Sequence, residues 1–153
     1  MLYAPLMTDL HARIAESLGR QKLLTTLGAR LLRVAEGEVE IELPFSEGVL
    51  QQHGFVHAGA IATIADSACG YACLTKMPLD AAVLSVEFKI NLLAPAVGER
   101  FVARGRVVRM GRTMGVATAE VFAIGGGADT KETCIALMQA TMMRVEAKNG
   151  VKG

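Results

Sequence analysis

The stretch His57–Thr75, HAGAIATIADSACGYACLT, constrains the fold more than any other part of the chain. Its nineteen residues hold one formal charge, Asp66, no proline, and a majority of Ala, Gly, Ser, Thr and Cys. A run of this length with apolar residues on every side reads as a buried helix. A membrane span has a similar length. However, a carboxylate at the midpoint costs about 2.5–3.5 kcal/mol on insertion scales, and the Leu and Phe bulk that lipid favours is missing. The small side chains point instead to a helix approached closely by other backbone, as inside a curved sheet. An acid at the centre of such a helix needs a partner or a task.

At 153 residues the chain forms one domain, 1–153, with room for a sizeable core. Apolar residues make up 52% and charged residues 20%, which excludes disorder. A net charge of +1 argues against nucleic acid as a bulk electrostatic partner. Three cysteines without a C-x-x-C pair predict free thiols in a reducing compartment. Asp9 and Arg13 interrupt the N-terminal apolar pattern, so no signal peptide is read there and the expected location is the cytoplasm.

The rest of the chain divides by periodicity. Thr8 or Asp9 is the expected cap of a surface helix with the stripe Leu10, Ile14 and Leu18 and a stop at Gly19. A helical turn over Gln21–Leu27 ends at Gly28, so the helical segment covers about 8–27 and the core about 28–146. Residues 29–45 read as two strands joined at Glu36-Gly37, with Val39, Ile41 and Leu43 inward and Glu38, Glu40 and Glu42 outward. In VLSVEFKINLL, Leu84, Val86, Phe88, Ile90 and Leu92 fall on one face, and Ser85, Glu87, Lys89 and Asn91 on the other. Two further strands flank a Met110-Gly111 turn. The glycines at 125–127 join the second of these to a last strand over 133–145, and the tail is expected to fray. The order predicts an α+β domain: an antiparallel sheet covering one long helix, with an edge that needs protection, most simply by oligomerisation.

Three features converge on the central helix. Its start at His57-Ala58-Gly59 offers unpaired amides at the positive end of the helix dipole, which suit a developing oxyanion. Asp66 lies among Gly59, Ala62, Thr63, Cys69, Gly70 and Cys73, small enough to line a slot. Gln51 lies just upstream as an uncharged group able to orient water or a carbonyl. Gly59 and Asp66 are separated by about 10 Å along a helix axis, too far for one small carbonyl. If both act in one reaction, Asp66 must meet the helix start of a second copy, which implies a two-fold dimer.

Plainer readings stand beside these. Asp66 is also explained as a hydrogen-bonded core acid or an interface contact. His53 and His57 lack a third metal ligand at a recognisable spacing, so a cap or substrate contact suits His57 better. Cys69 and Cys73 read as packing residues. Arg104 and Arg106 suit a solvated strand face, whereas Arg109 and Arg112 flank a turn from which guanidinium groups can reach phosphates. Met77, Leu79, Met110, Met114 and the N-terminal helix are candidates for the wall of a substrate tunnel.

The segments QQHGFVHAGAIATIADSACGYA, VLSVEFKINLLAPAVGE and VVRMGRT together resemble the hotdog-fold acyl-CoA thioesterases of the phenylacetate-degradation, or PaaI-type, group, over about Leu27–Val145. That resemblance implies a six-stranded antiparallel sheet around the central helix. It also implies homodimers joined edge to edge that often pair into tetramers, and hydrolysis of an aliphatic or aryl acyl-CoA without a cofactor or metal. By position it makes Asp66 the general base or nucleophile. The amides of Ala58 and Gly59 polarise the carbonyl, His57 supports that turn, and Gln51 positions water or carbonyl. Ser85 becomes a substrate-side contact, and Arg109 and Arg112 bind the nucleotide end of CoA. Ala58 stands where the group usually has glycine, and Gln51 where asparagine is common. A non-catalytic acyl-CoA sensor on the same scaffold is the alternative, and an enoyl-thioester hydratase ranks below it.

Overall fold

The structure, a computed structural model, describes residues 3–126, 128 and 131–146. Helices α1 (Tyr3–Arg20) and α2 (Lys22–Leu27) precede strands β1 (Arg30–Ala35) and β2 (Glu38–Pro44). A short 3₁₀ turn, Glu47–Val49, leads to α3 (Ala58–Leu74), then β3 (Ala81–Leu92), β4 (Arg100–Met110), β5 (Met114–Ile124) and β6 (Glu132–Glu146). The six strands form one antiparallel sheet in the order β1-β2-β4-β5-β6-β3. The fold is α+β and of hotdog type, with α3 held against the concave face. The glycine turn at 125–127 lies partly outside the described residues, and the tail beyond Glu146 lies wholly outside them.

Helix α1 starts at Tyr3, earlier than the cap expected at Thr8 or Asp9, and runs past Gly19 to Arg20. Pro5 falls in its first turn, where a missing N–H costs nothing, so the proline is compatible with an earlier start. Gly28 ends α2 in a left-handed conformation with φ 71°, as the sequence suggested.

The concave face explains why α3 is built from small residues. Opposite it, β4 and β5 present Ala103, Gly105, Ala117 and Ala119. A Cβ added at Gly105 would lie 2.4 Å from the Ala68 carbonyl oxygen, so helix and sheet touch backbone to backbone there. Larger residues close the rest of the core: Val39, Ile41 and Leu43 from β2, Ile61, Ile64 and Leu74 from α3, and Met138 and Met142 from β6. Each such side chain contributes about 1.5–3 kcal/mol when fully buried.

On the convex face the acidic row of β2 meets the arginines of β1 and β4. Glu42 is buried between Arg30 at 2.6 Å and Arg100 at 3.0 Å, so it is covered and not solvated as its outward parity suggested. Arg104 pairs with Glu132 through both terminal nitrogens, at 2.9 and 2.6 Å, and lies over the Phe122 ring. Arg106 approaches Glu38 at 3.4 Å. These two arginines are thus occupied by the sheet's own acids.

Of four register shifts in the ladders, two redirect candidate site residues. The β3–β6 register shifts between Ser85 and Glu87, and the β4–β5 register between Val107 and Arg109. An extra residue on one strand reverses the parity of everything beyond it. Ser85 therefore pairs with buried Met142 and faces α3, contrary to the outward placement read from the alternation. Beyond Val86 the original alternation resumes, with Phe88, Ile90 and Leu92 opposite buried Ala140, Met138 and Ala136. Leu84 falls on the opposite face from Ser85, opposite the partly exposed Met143.

Candidate active site

The start of α3 is fixed by its own cap. His57 Nδ1 accepts from the Gly59 amide at 2.8 Å, and the His57 carbonyl accepts from Ala60 and Ile61 at 3.0 and 3.3 Å. The Gly59 amide, expected as a polarising donor, is therefore engaged within the chain. The Ala58 amide has no acceptor among the described residues. His57 also donates its backbone N–H to the Val49 carbonyl at 2.8 Å, tying the preceding loop to the helix.

Gln51 shapes that loop. Its backbone N–H reaches the Phe55 carbonyl at 2.8 Å, and its side-chain Oε1 accepts from the His53 amide. The carboxamide therefore has one end in the turn. Gln51 still borders a recess of about 500 Å³ that also includes His57, Ala58, Leu92 and Leu93.

Asp66 lies two turns further along α3, half-buried, in a separate recess of about 290 Å³. Ser85 and Met142 line it from the sheet, Gly70 and Tyr71 from α3, and Gln21 from the junction of α1 and α2. Ser85 Oγ donates to Asp66 Oδ1 at 2.7 Å and lies 3.4 Å from the Met142 sulfur. Burial raises the Asp66 carboxyl above the ordinary aspartate range, and the Ser85 hydrogen bond partly opposes that rise. No cation pairs with it among the described residues. A carboxylate destabilised by burial and held by one hydroxyl is a stronger proton acceptor than a free aspartate.

The remaining candidates separate clearly. Cys69 and Cys73 pack into the core, where burial pushes their thiols to about 12 and about 11, so neither is a nucleophile at neutral pH. Of the expected slot, Gly70 borders the Asp66 recess, whereas the two cysteines are fully buried and do not line it. Arg109 lies opposite Val116 because of the β4 bulge, and Arg112 lies in the β4–β5 turn. Both are exposed, without an acidic partner among the described residues. Met77 is buried in the core and Leu79 is 86% exposed, so the methionine of the recess is Met142. No group of three metal-binding side chains converges among the described residues.

Gln21 and Tyr71 were not legible as site residues. The Gln21 Nε2 donates to the Tyr71 hydroxyl at 2.7 Å across fifty positions of sequence, a pairing that no local pattern encodes.

With this geometry, the family assignment follows from comparison. The chain belongs to the thioesterase superfamily, whose family model matches residues 53–129, from the loop before α3 into the turn after β5. It is therefore a hydrolase of thioesters or esters on a hotdog scaffold. A Halobacterium salinarum protein named provisionally as an esterase is 31% identical over 84% of this chain and 88% of its own length. The crystal structure of a thioesterase family protein from Silicibacter pomeroyi is 47% identical, covers 90% of this chain and 98% of its own, and superposes with a TM-score of 0.85. The PaaI protein of the phenylacetic acid degradation operon of E. coli shares the fold at a TM-score of 0.80 and 19% identity, over 97% and 99% of the two chains. No helix among the described residues is long and apolar enough to cross a membrane.

Proposed function

We propose that this protein hydrolyses acyl-CoA thioesters in the cytoplasm, with Asp66 as the general base and no cofactor. The observation that carries this reading is the half-buried Asp66 carboxylate, held by Ser85 at 2.7 Å and paired with no cation among the described residues, beside an open recess. Ser85 occupies one carboxylate oxygen and leaves the other to take a proton from water. The water attacks the thioester carbonyl, an amide stabilises the resulting oxyanion, and collapse of the tetrahedral intermediate breaks the C–S bond and expels the CoA thiolate, which takes the proton back from Asp66 and leaves as the thiol.

That amide must come from a second copy. The Ala58 N–H belongs to the recess flanked by Leu92, and Asp66 to the recess flanked by Ser85, at opposite ends of β3. Among the described residues strand β3 is a sheet edge bonded only to β6, and its Leu84, Val86, Phe88 and Leu92 are about half exposed. Such an edge invites pairing. Antiparallel self-pairing centred between Phe88 and Lys89 sets Ser85 opposite Leu92 of the partner subunit. Each Asp66 recess then adjoins a helix start with its free amide, Ala58 of the partner subunit, so a homodimer has two composite sites. Arg109 and Arg112, without an acidic partner among the described residues, suit the phosphates of CoA.

The test is release of thiol and free acid from short, medium, long and aryl CoA esters. Asp66→Asn should lower turnover by about 10²-fold or more. Binding of CoA esters with no turnover of any of them would favour the sensor instead.

A further inference from the structure

Gln21 is the one residue between α1 and α2, and its position there is fixed. Its backbone N–H donates to the Leu18 carbonyl at 3.0 Å, and its carbonyl accepts from the Thr25 amide at 3.1 Å. It stands at the N-cap of α2, yet its side chain does not cap that helix. The carboxamide turns instead to α3 and donates to the Tyr71 hydroxyl. That hydroxyl is already partnered by Ser17 Oγ at 3.2 Å, so the buried tyrosine does not need a second bond. Fixing a long, exposed side chain costs rotamer entropy comparable to what one neutral hydrogen bond returns. Stability alone therefore does not account for the arrangement.

The result is a polar group lining the Asp66 recess, where the other polar walls are Ser67, Tyr71 and Ser85, with Ser85 already committed to Asp66. With Nε2 committed to Tyr71, the Gln21 Oε1 has no donor among the described residues. A water that attacks a carbonyl carries two O–H bonds. One must point to the base, and the nucleophilic lone pair is aimed only if the second is also held.

We propose that Gln21 positions the hydrolytic water, its Oε1 accepting one O–H while the free oxygen of Asp66 accepts the other. The inference rests on the general-base reading of Asp66 given above. Tyr71, through its bond to Nε2, sets which end of the carboxamide faces the recess.

The experiment compares Gln21→Leu, Gln21→Glu and Asp66→Asn on the best acyl-CoA of the hydrolysis screen, with thermal unfolding of each. Gln21→Leu should lower kcat about tenfold or more and leave KM within about twofold, because water and not substrate is misplaced. Gln21→Glu can keep a bond to Tyr71 but adds a second carboxylate to the recess, so the acidic limb of kcat/KM should move to higher pH. A merely structural glutamine would lower Tm but leave kcat of the folded Gln21→Leu protein at the parent value. Parent kcat in folded Gln21→Leu, or an unshifted limb in folded Gln21→Glu, overturns the inference, and if Gln21→Leu fails to fold, kcat of Gln21→Met, which keeps the length without the acceptor, decides in its place. If Asp66→Asn turns over like the parent, the general-base reading fails and takes this inference with it. If Asp66→Asn is inactive while both Gln21 variants match the parent, only the role of Gln21 fails.

Discussion

Replacing Gly105 by alanine tests the central packing contact of the fold. The new methyl would sit 2.4 Å from the Ala68 carbonyl oxygen, 2.5 Å from its carbon and 3.0 Å from its Cβ. Ordinary contact begins at 3.4 Å, so α3 must retreat by about 1 Å at Ala68. The obstacle is helix backbone and not the end of a flexible side chain, so it cannot swing aside. Overpacking a core costs about 1–3 kcal/mol, and a rigid neighbour places this site near 3. Retreat also opens gaps beside Ile64 and Cys69, where a displacement of about 0.5–1 Å forfeits a quarter to a half of the dispersion well. For a chain of this size the loss corresponds to about 6–12 °C in Tm. Urea unfolding at fixed protein concentration measures it, with Gly19→Ala as the control. No heavy atom lies within 4 Å of a Cβ at Gly19 in α1, so that change should be neutral or stabilise by up to about 1 kcal/mol. A Gly105→Ala protein within about 0.5 kcal/mol of the parent would refute the backbone-on-backbone argument.

Other outcomes follow from the site. Ser85→Ala removes the bond that lowers the Asp66 carboxyl while burial still raises it, so the acidic limb of the pH–rate profile should move to higher pH. The same raised carboxyl has a stability consequence. Between its unfolded and folded pKa values the folded state binds more protons, so stability falls as pH rises through that window. Asp66→Asn should therefore raise Tm at neutral pH, and the gain should vanish in acid below the unfolded carboxyl pKa; an equal gain at every pH would contradict this. Arg109→Ala with Arg112→Ala should raise KM for CoA esters severalfold, most at low salt, with kcat held. Arg104→Ala with Arg106→Ala should leave KM unchanged, because both guanidiniums already serve Glu132, Glu40 and Glu38.

Much of the fold was legible because its signals are local. The alternation Val39-Ile41-Leu43 marked an inward strand face, and all three side chains are fully buried. The Pro-free run of small residues marked α3, capped by His57 and ended at Thr75 as its bounds suggested. The start of α1 was misplaced because Thr8 and Asp9 look like caps, while the helix runs through both from Tyr3.

Sequence alone therefore determined the elements and the lone acid in α3, because periodicity and residue size act over a few neighbours, while the family was legible only through the resemblance of its motifs. Tertiary structure decided which groups meet that acid. One inserted residue at Val86 turned Ser85 from the outer face onto Asp66, and an unbroken apolar alternation hides such a bulge. Likewise Gln21 reaches the recess only because α1 and α2 fold back over α3. A ladder register and a helix docking are set by the whole core at once, so no window of sequence contains them.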